Sequence, residues 1–162
     1  MKPELMAPVS DWVSLKAAAQ AGADAVYFGL KELNMRATAK NFERNQLPKV
    51  IEFCHENGIK AYVTLNTIIY EHELSRLAEV LAVAKDAGID AIICWDMAVI
   101  TLARKEGLPI ILSTQASVSN SQACRTYQEL GVRRVVLARE CSLDQIAQIR
   151  NETDLELEVF VH

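Results

Sequence analysis

The chain has 162 residues, 51% of them hydrophobic, and a formal net charge of −4. That length suffices for one domain with a real core. The acidic balance argues against a nonspecific nucleic-acid binder, which carries a net basic face, though it leaves room for a local basic patch.

In chain order, a first strand is expected near residues 4–7. The helix after it, over "DWVSLKAAAQAG", takes Ser10 as its N-cap. Five of the six glycines then fall in one recurring phrase: "AGADAVYF" at Gly22, "NGIKAYVT" at Gly58, "AGIDAIIC" at Gly88, "EGLPIILS" at Gly107 and "LGVRRVVL" at Gly131. Glycine tolerates the left-handed conformation that ends a helix. The apolar run behind each glycine has the length of a parallel strand buried on both faces. Further strands are therefore expected near 24–28, 60–65, 90–94, 109–113, 133–138 and 155–161, the last within "LELEVFVH", read as buried. Before the glycines, "HELSRLAEVLAVAKDAG" places Leu74, Leu77, Ala78, Leu81 and Ala84 on one helical face. Ser119 with Gln122, and Ser142 with Gln145, stand at capping-box spacing.

The result is βα repeated six times plus a seventh strand, without a linker, which suits right-handed βαβ units. The first strand leads into "APVSDW", with no glycine-rich loop of the kind that follows the first strand of a doubly wound sheet. The fold class expected is α/β, a partial (βα) TIM-like barrel. An open seven-stranded sheet is the rival. A whole barrel needs eight strands and about 250 residues, so residues 1–162 read as the N-terminal portion of a truncated barrel.

In such barrels the chemistry gathers where strands end. The expected strand ends carry Pro8 and Ser10; Gly29 and the loop "LKELNMRATAKNF" with Asn34, Arg36, Asn41 and Phe42; Thr64 and Asn66; Asp96; Ser113, Thr114, Gln115, Ser117 and Asn120; Arg139 and Glu140; and His162. Singly, most read as caps or rim pairs: Ser119 and Ser142 as caps, Asp96 as the cap of the fourth helix, Arg139 with Glu140 as an ion pair. As a set they form a rim able to hold a polar or anionic small molecule, with two arginines offering bidentate donors.

No H-E-x-x-H, G-x-S-x-G or Walker loop is present. Cys54, Cys94, Cys124 and Cys141 include no C-x-x-C pair and read as reduced thiols, mostly buried. Cys141, beside a helix N-terminus, is the thiol most open to activation. No run approaches the ~18 apolar residues of a membrane span, and "MKPELMAPVS" lacks a signal peptide's apolar stretch. A cytoplasmic protein is expected.

The stretches "PELMAPVSDWVSLKAAAQAGADAVYFGLKELNMRATAKNF", "AYVTLNT", "ILSTQASVSN", "RRVVLARECSLDQI" and "ELEVFVH" together resemble the N-terminal half of the collagenase-like peptidases, family U thirty-two. The resemblance covers essentially the whole chain, in order. It implies a longer protein whose later cysteines bind an iron–sulfur cluster; the four cysteines here do not match those positions, so no cofactor is expected in this chain itself. It implies either peptidase (collagenase) activity or oxygen-independent hydroxylation of tRNA, of rRNA or of the ubiquinone ring, with prephenate implicated as the oxygen source in several of these. On that resemblance the substrate-binding residues expected are Arg36, Asn41, Asn66, Gln115, Asn120, Arg139, Glu140 and His162.

Three functions compete. An RNA or quinone hydroxylase uses this half as a binding rim, a peptidase needs an activated nucleophile or metal-bound water, and a scaffold binds without turnover. The unpaired edges of an incomplete barrel also lead to an expectation of self-association.

Overall fold

The computed structural model describes residues 2–35 and 40–161. The elements are β1 (Met6–Pro8), α1 (Trp12–Gln20), β2 (Ala25–Gly29), α2 (Leu47–Glu56), β3 (Lys60–Thr64), α3 (Leu74–Asp86), β4 (Ala91–Cys94), α4 (Met97–Lys105), β5 (Ile110–Leu112), α5 (Ser121–Glu129), β6 (Arg134–Val136), α6 (Leu143–Glu152) and β7 (Glu156–Glu158). All seven strands are parallel and pair in sequence order, β1 to β7. The glycine phrases set this rhythm. Gly22 and Gly88, at φ 80 and φ 81, each turn the chain out of a helix through the left-handed region and into the next strand.

Strand parity separates two apolar layers. Residues such as Val26, Val63, Ile92 and Leu112 point outward and pack with Leu15 of α1, Val50 of α2, Leu77 and Leu81 of α3, Val99 of α4, Cys124 of α5 and Ile149 of α6. All six helices thus cover one face of the sheet. The other face carries Ala25, Tyr62, Ala91, Ile93, Ile111 and Val136, with Tyr27 and Phe160 against them. A doubly wound sheet has helices on both faces; helices on one face alone, with a small apolar lining on the other, are the arrangement of a curled sheet. The curl is also visible in one contact: Arg134 on β6 donates to Glu4, just ahead of β1, at 2.7 Å. The fold is a partial (βα) barrel, as expected, and the open-sheet alternative is set aside.

Several local expectations change. The N-cap of α1 is Asp11, not Ser10: Asp11 Oδ1 accepts from Ser14 N at 2.8 Å, and Ser14 Oγ accepts from Asp11 N in return. The N-cap of α5 is Asn120, not Ser119, because Asn120 Oδ1 is the atom that accepts from Ala123 N, at 2.9 Å. Ser142 with Gln145, and Asp96 on α4, cap as expected. On α3 the buried face uses Val80 where Ala78 was expected; Ala78 is exposed. β7 is shorter than expected and is not a buried strand: Val159 is 43% and Val161 87% exposed.

Candidate functional site

The C-terminal ends of the strands form one rim, and the loop after β2 supplies much of it. Gly29 ends β2 inside the barrel, where a Cβ would stand 1.7 Å from Asn34 Nδ2 and 2.8 Å from Asn41 Oδ1. The missing side chain lets Asn34 lie across the strand end, almost fully buried, donating to Asn41 Oδ1 at 2.9 Å. The chain reaches that position through Leu33 at φ 53, a conformation rare for a branched residue, stabilised by burial of the Leu33 side chain in the core. Gly29→Ala is expected to displace both asparagines, and overpacking of this kind costs about 1–3 kcal/mol. Thermal unfolding measures the cost. An unchanged melting temperature would show that this close approach is unimportant.

Met35 N donates to Asn66 Oδ1 at 3.3 Å, which joins this loop to the end of β3. Trp95, at the end of β4, donates from Nε1 to the Asn66 carbonyl at 2.9 Å. The Gln115 carboxamide fits between them. Oriented so that both its ends are satisfied, it donates to the Asn66 carbonyl and accepts from Trp95 Nε1, each at 3.2 Å. Ser113 and Thr64, both buried, support this end of the sheet; Thr64 Oγ1 donates to the Phe28 carbonyl at 3.0 Å. Asp96 ties the start of α4 to the loop after β3, accepting from Ala98 N at 2.8 Å and from Ile69 N at 3.1 Å.

Of the residues expected at the site, the structure links Asn41 through Asn34 and Met35 to Asn66 and Gln115. Asn120 stands apart as a helix cap. Arg139 is exposed, its guanidinium 4.4 Å from the centre of the Phe160 ring rather than paired with Glu140, which follows it in the exposed turn after β6. A cation–π contact of this kind steadies the guanidinium through the ring face and does not itself use the N–H donors, which suit a carboxylate or phosphate. Arg36 and His162 lie outside the described residues. Sequence reasoning placed Asn34 on the rim but not among the binding residues, and it did not single out Trp95 or Met35, whose contacts cross between loops.

A second polar cluster sits inside the barrel, nearer the N-terminal ends of the strands. Arg134 bonds Glu4 at 2.7 Å and Glu156 at 2.7 Å, and lies 3.5 Å from Glu158. Lys60 and Tyr62 also donate to Glu4, at 2.7 and 3.0 Å. Burial would raise the Glu4 carboxyl, but the bonds from Arg134 and Lys60 outweigh it and hold it below the usual range. Burial pushes Glu158 the other way, upward, against the pull of Arg134. Both features had a sequence signal: Arg134 and Val136 share one parity, as do Glu156, Glu158 and Phe160, so the charges fall on the inner face.

Three of the thiols, Cys54, Cys94 and Cys124, are pushed upward by burial. Burial pushes Cys54 up to about 11 and Cys94 up to about 12. Cys54 is on α2, Cys94 on β4 and Cys124 on α5, all buried, while Cys141 is partly exposed. Among the described residues no group of three His, Cys, Asp or Glu is placed to hold a metal. These cysteines do not fit an iron–sulfur cluster, which needs thiolates gathered around one pocket. No helix of the described residues is long and apolar enough to cross a membrane.

Known proteins share this chain's sequence along nearly all of its length. It is 45% identical to an uncharacterized protease of Methanocaldococcus jannaschii, over 98% of this chain and 40% of that protein. It is 45% identical to a collagenase of Porphyromonas gingivalis, over 90% and 35%, and 37% identical to tRNA hydroxylation protein P1 of Bacillus subtilis, over 99% and 39%. The chain thus spans about two fifths of the length of these relatives. Among solved structures, a U32 peptidase superposes with a TM-score of 0.80 at 12% identity, over 98% of this chain and 68% of that one, which supports the fold. The profile of Peptidase family U32 matches residues 10–162, taking in every strand end of the rim except those of β1, and the chain belongs to that family.

Proposed function

We propose that this chain is the rim-bearing barrel portion of a longer protein that hydroxylates RNA. The observation that carries this reading is the likeness to proteins named for tRNA hydroxylation over 98–99% of the chain, at 34–38% identity. The geometry supports it. Asn66, Gln115 and Trp95 present amide and indole groups suited to orienting a polar planar ligand. Arg139, with its guanidinium over the Phe160 ring, is suited to an anion such as prephenate or a phosphate. In this reading the rim binds and orients, and the redox chemistry belongs to an iron–sulfur cluster whose ligands are not the cysteines of this chain.

A peptidase is the second reading, favoured by the 45% identity to a collagenase. It has to find its nucleophile outside the thiols of Cys54 and Cys94, which burial keeps protonated.

Deleting the full-length gene in its own host and analysing digested tRNA and rRNA by mass spectrometry separates the two. The hydroxylase reading expects a hydroxylated nucleoside to vanish and to return with the gene. Unchanged nucleosides, with gelatin cleaved by the purified full-length protein, would establish the peptidase instead.

A further inference from the structure

The loop after β2 turns inward, where loops normally run over the surface. Leu33 and Asn34 are buried, and the side chain of Glu32, just ahead of them, is only 10% exposed. A carboxylate withdrawn from water is costly unless it is paired and hydrogen-bonded. Two arginines meet that demand. Arg44, ahead of α2, grips Glu32 with a fork, donating from Nε to Oε1 at 2.7 Å and from a terminal nitrogen to Oε2 at 2.8 Å. Arg76, in the first turn of α3, donates from Nε to Oε2 at 2.6 Å. The Arg44 bonds, joined by that from Arg76, outweigh burial and hold the Glu32 carboxyl below the usual range.

This clamp sits directly before Leu33, whose φ of 53 is a conformation that persists only where its surroundings over-determine it. The Asn34–Asn41 bond holds the chain on the far side of Leu33, and Glu32 holds it on the near side. Met35 follows at once, and its N–H donates to Asn66 Oδ1. Where the loop lies therefore decides how the Asn66 carboxamide is turned.

We propose that Glu32 is a positioning residue: clamped by Arg44 and Arg76, it fixes the loop after β2 and, through Met35, sets the carboxamide of Asn66 at the rim. It acts through the loop and not on a ligand. The consequence for hydroxylation rests on the function proposed above; the consequence for the loop does not.

Three variants of the full-length gene product test it. Glu32→Gln keeps the shape of the side chain and removes its charge. Arg76→Gln removes one arm and leaves the Arg44 fork, so it carries the test if Glu32→Gln does not fold. Glu79→Gln is the control, because Glu79 bonds Arg44 at 3.3 Å from α3, outside the loop, and is mostly exposed. Losing a hydrogen bond between charged groups raises local opening by about 10-fold or more. The Met35 amide is therefore expected to exchange at least about 10-fold faster in Glu32→Gln and Arg76→Gln, relative to core-strand amides of the same protein, and to stay unchanged in Glu79→Gln. In a host lacking the gene, Arg76→Gln is expected to accumulate yet restore less of the hydroxylated nucleoside than Glu79→Gln does. Met35 exchange that quickens no more than the core amides would overturn the proposal, as would full hydroxylation by Arg76→Gln with a fast Met35 amide. A wild-type gene that restores no hydroxylated nucleoside would strike the hydroxylase reading instead, and Met35 exchange would then decide the clamp by itself.

Discussion

Replacing Arg134 with Met is expected to destabilise the protein by about 3–5 kcal/mol at neutral pH, the usual consequence of removing one partner from a buried ion pair. Only 12% of its side chain is exposed, and its loss strands Glu4 and Glu158 inside the barrel with Lys60 as the nearest compensation for Glu4. The defect depends on pH in a defined direction. Glu4 has its folded pKa lowered, so its contribution to stability is present above the unfolded value of 4.5 and is lost as pH falls through the folded value. The gap between wild type and Arg134→Met therefore narrows as pH falls below 4.5 and through the lowered folded value. Glu158 has the opposite sign: its folded pKa is raised, so the stability linked to its proton is present below 4.5 and is lost as pH rises. Denaturant unfolding at pH 7 and pH 3.5 measures both effects. A constant gap at the two pH values would mean that the carboxylates are not what Arg134 neutralises.

Phe42→Ala is expected to cost about 3–5 kcal/mol, or roughly 10 °C in melting temperature for a chain of this size, and to loosen the rim as well. Phe42 is 2% exposed, with its ring edge-on to Phe28 at 5.3 Å and to Trp12 at 5.9 Å. Its backbone pairs with Leu30 and accepts from Lys31 N at 3.1 Å. One residue thus pins both ends of the segment that carries Asn34, Met35 and Asn41. Phe53→Ala is the control: it also meets Trp12, at 6.0 Å, but lies on α2 away from that segment. Exchange of the Met35 amide, bonded to Asn66, is expected to quicken in Phe42→Ala beyond what equal global destabilisation produces in Phe53→Ala. Matching exchange in the two variants would reduce Phe42 to a packing residue.

The glycine phrases made the βα rhythm readable because a helix end, a left-handed turn and a buried strand each leave a local mark within a few residues. Curling was less direct. It followed from the absence of a glycine-rich loop after "MAPVSDW", whereas the physical proof is the pairing of Glu4 with Arg134, 130 residues apart. At the rim, Asn66 and Gln115 were found because polar residues at strand ends are conspicuous. Their link through Trp95, and the lid that Asn34 places over Gly29, were not, since tryptophan and glycine read equally well as core and turn. The caps show the same limit. Ser10 or Asp11, and Ser119 or Asn120, satisfy the same N-cap preference, and only the register of the first helical turn decides between neighbours.

The most direct test of the rim's role is to complement a host lacking the full-length gene with the wild-type gene or with the Asn66→Ala, Gln115→Ala double variant. The quantity measured is the fraction of the affected RNA nucleoside that is hydroxylated, alongside the amount and melting temperature of each protein. Loss of orienting groups at a reacting site can lower rates by about 100-fold. The expected result is a double variant that accumulates and melts nearly as the wild type does but restores little hydroxylation. Full restoration by a stably folded double variant would contradict the assignment of this rim as the place where substrate is held.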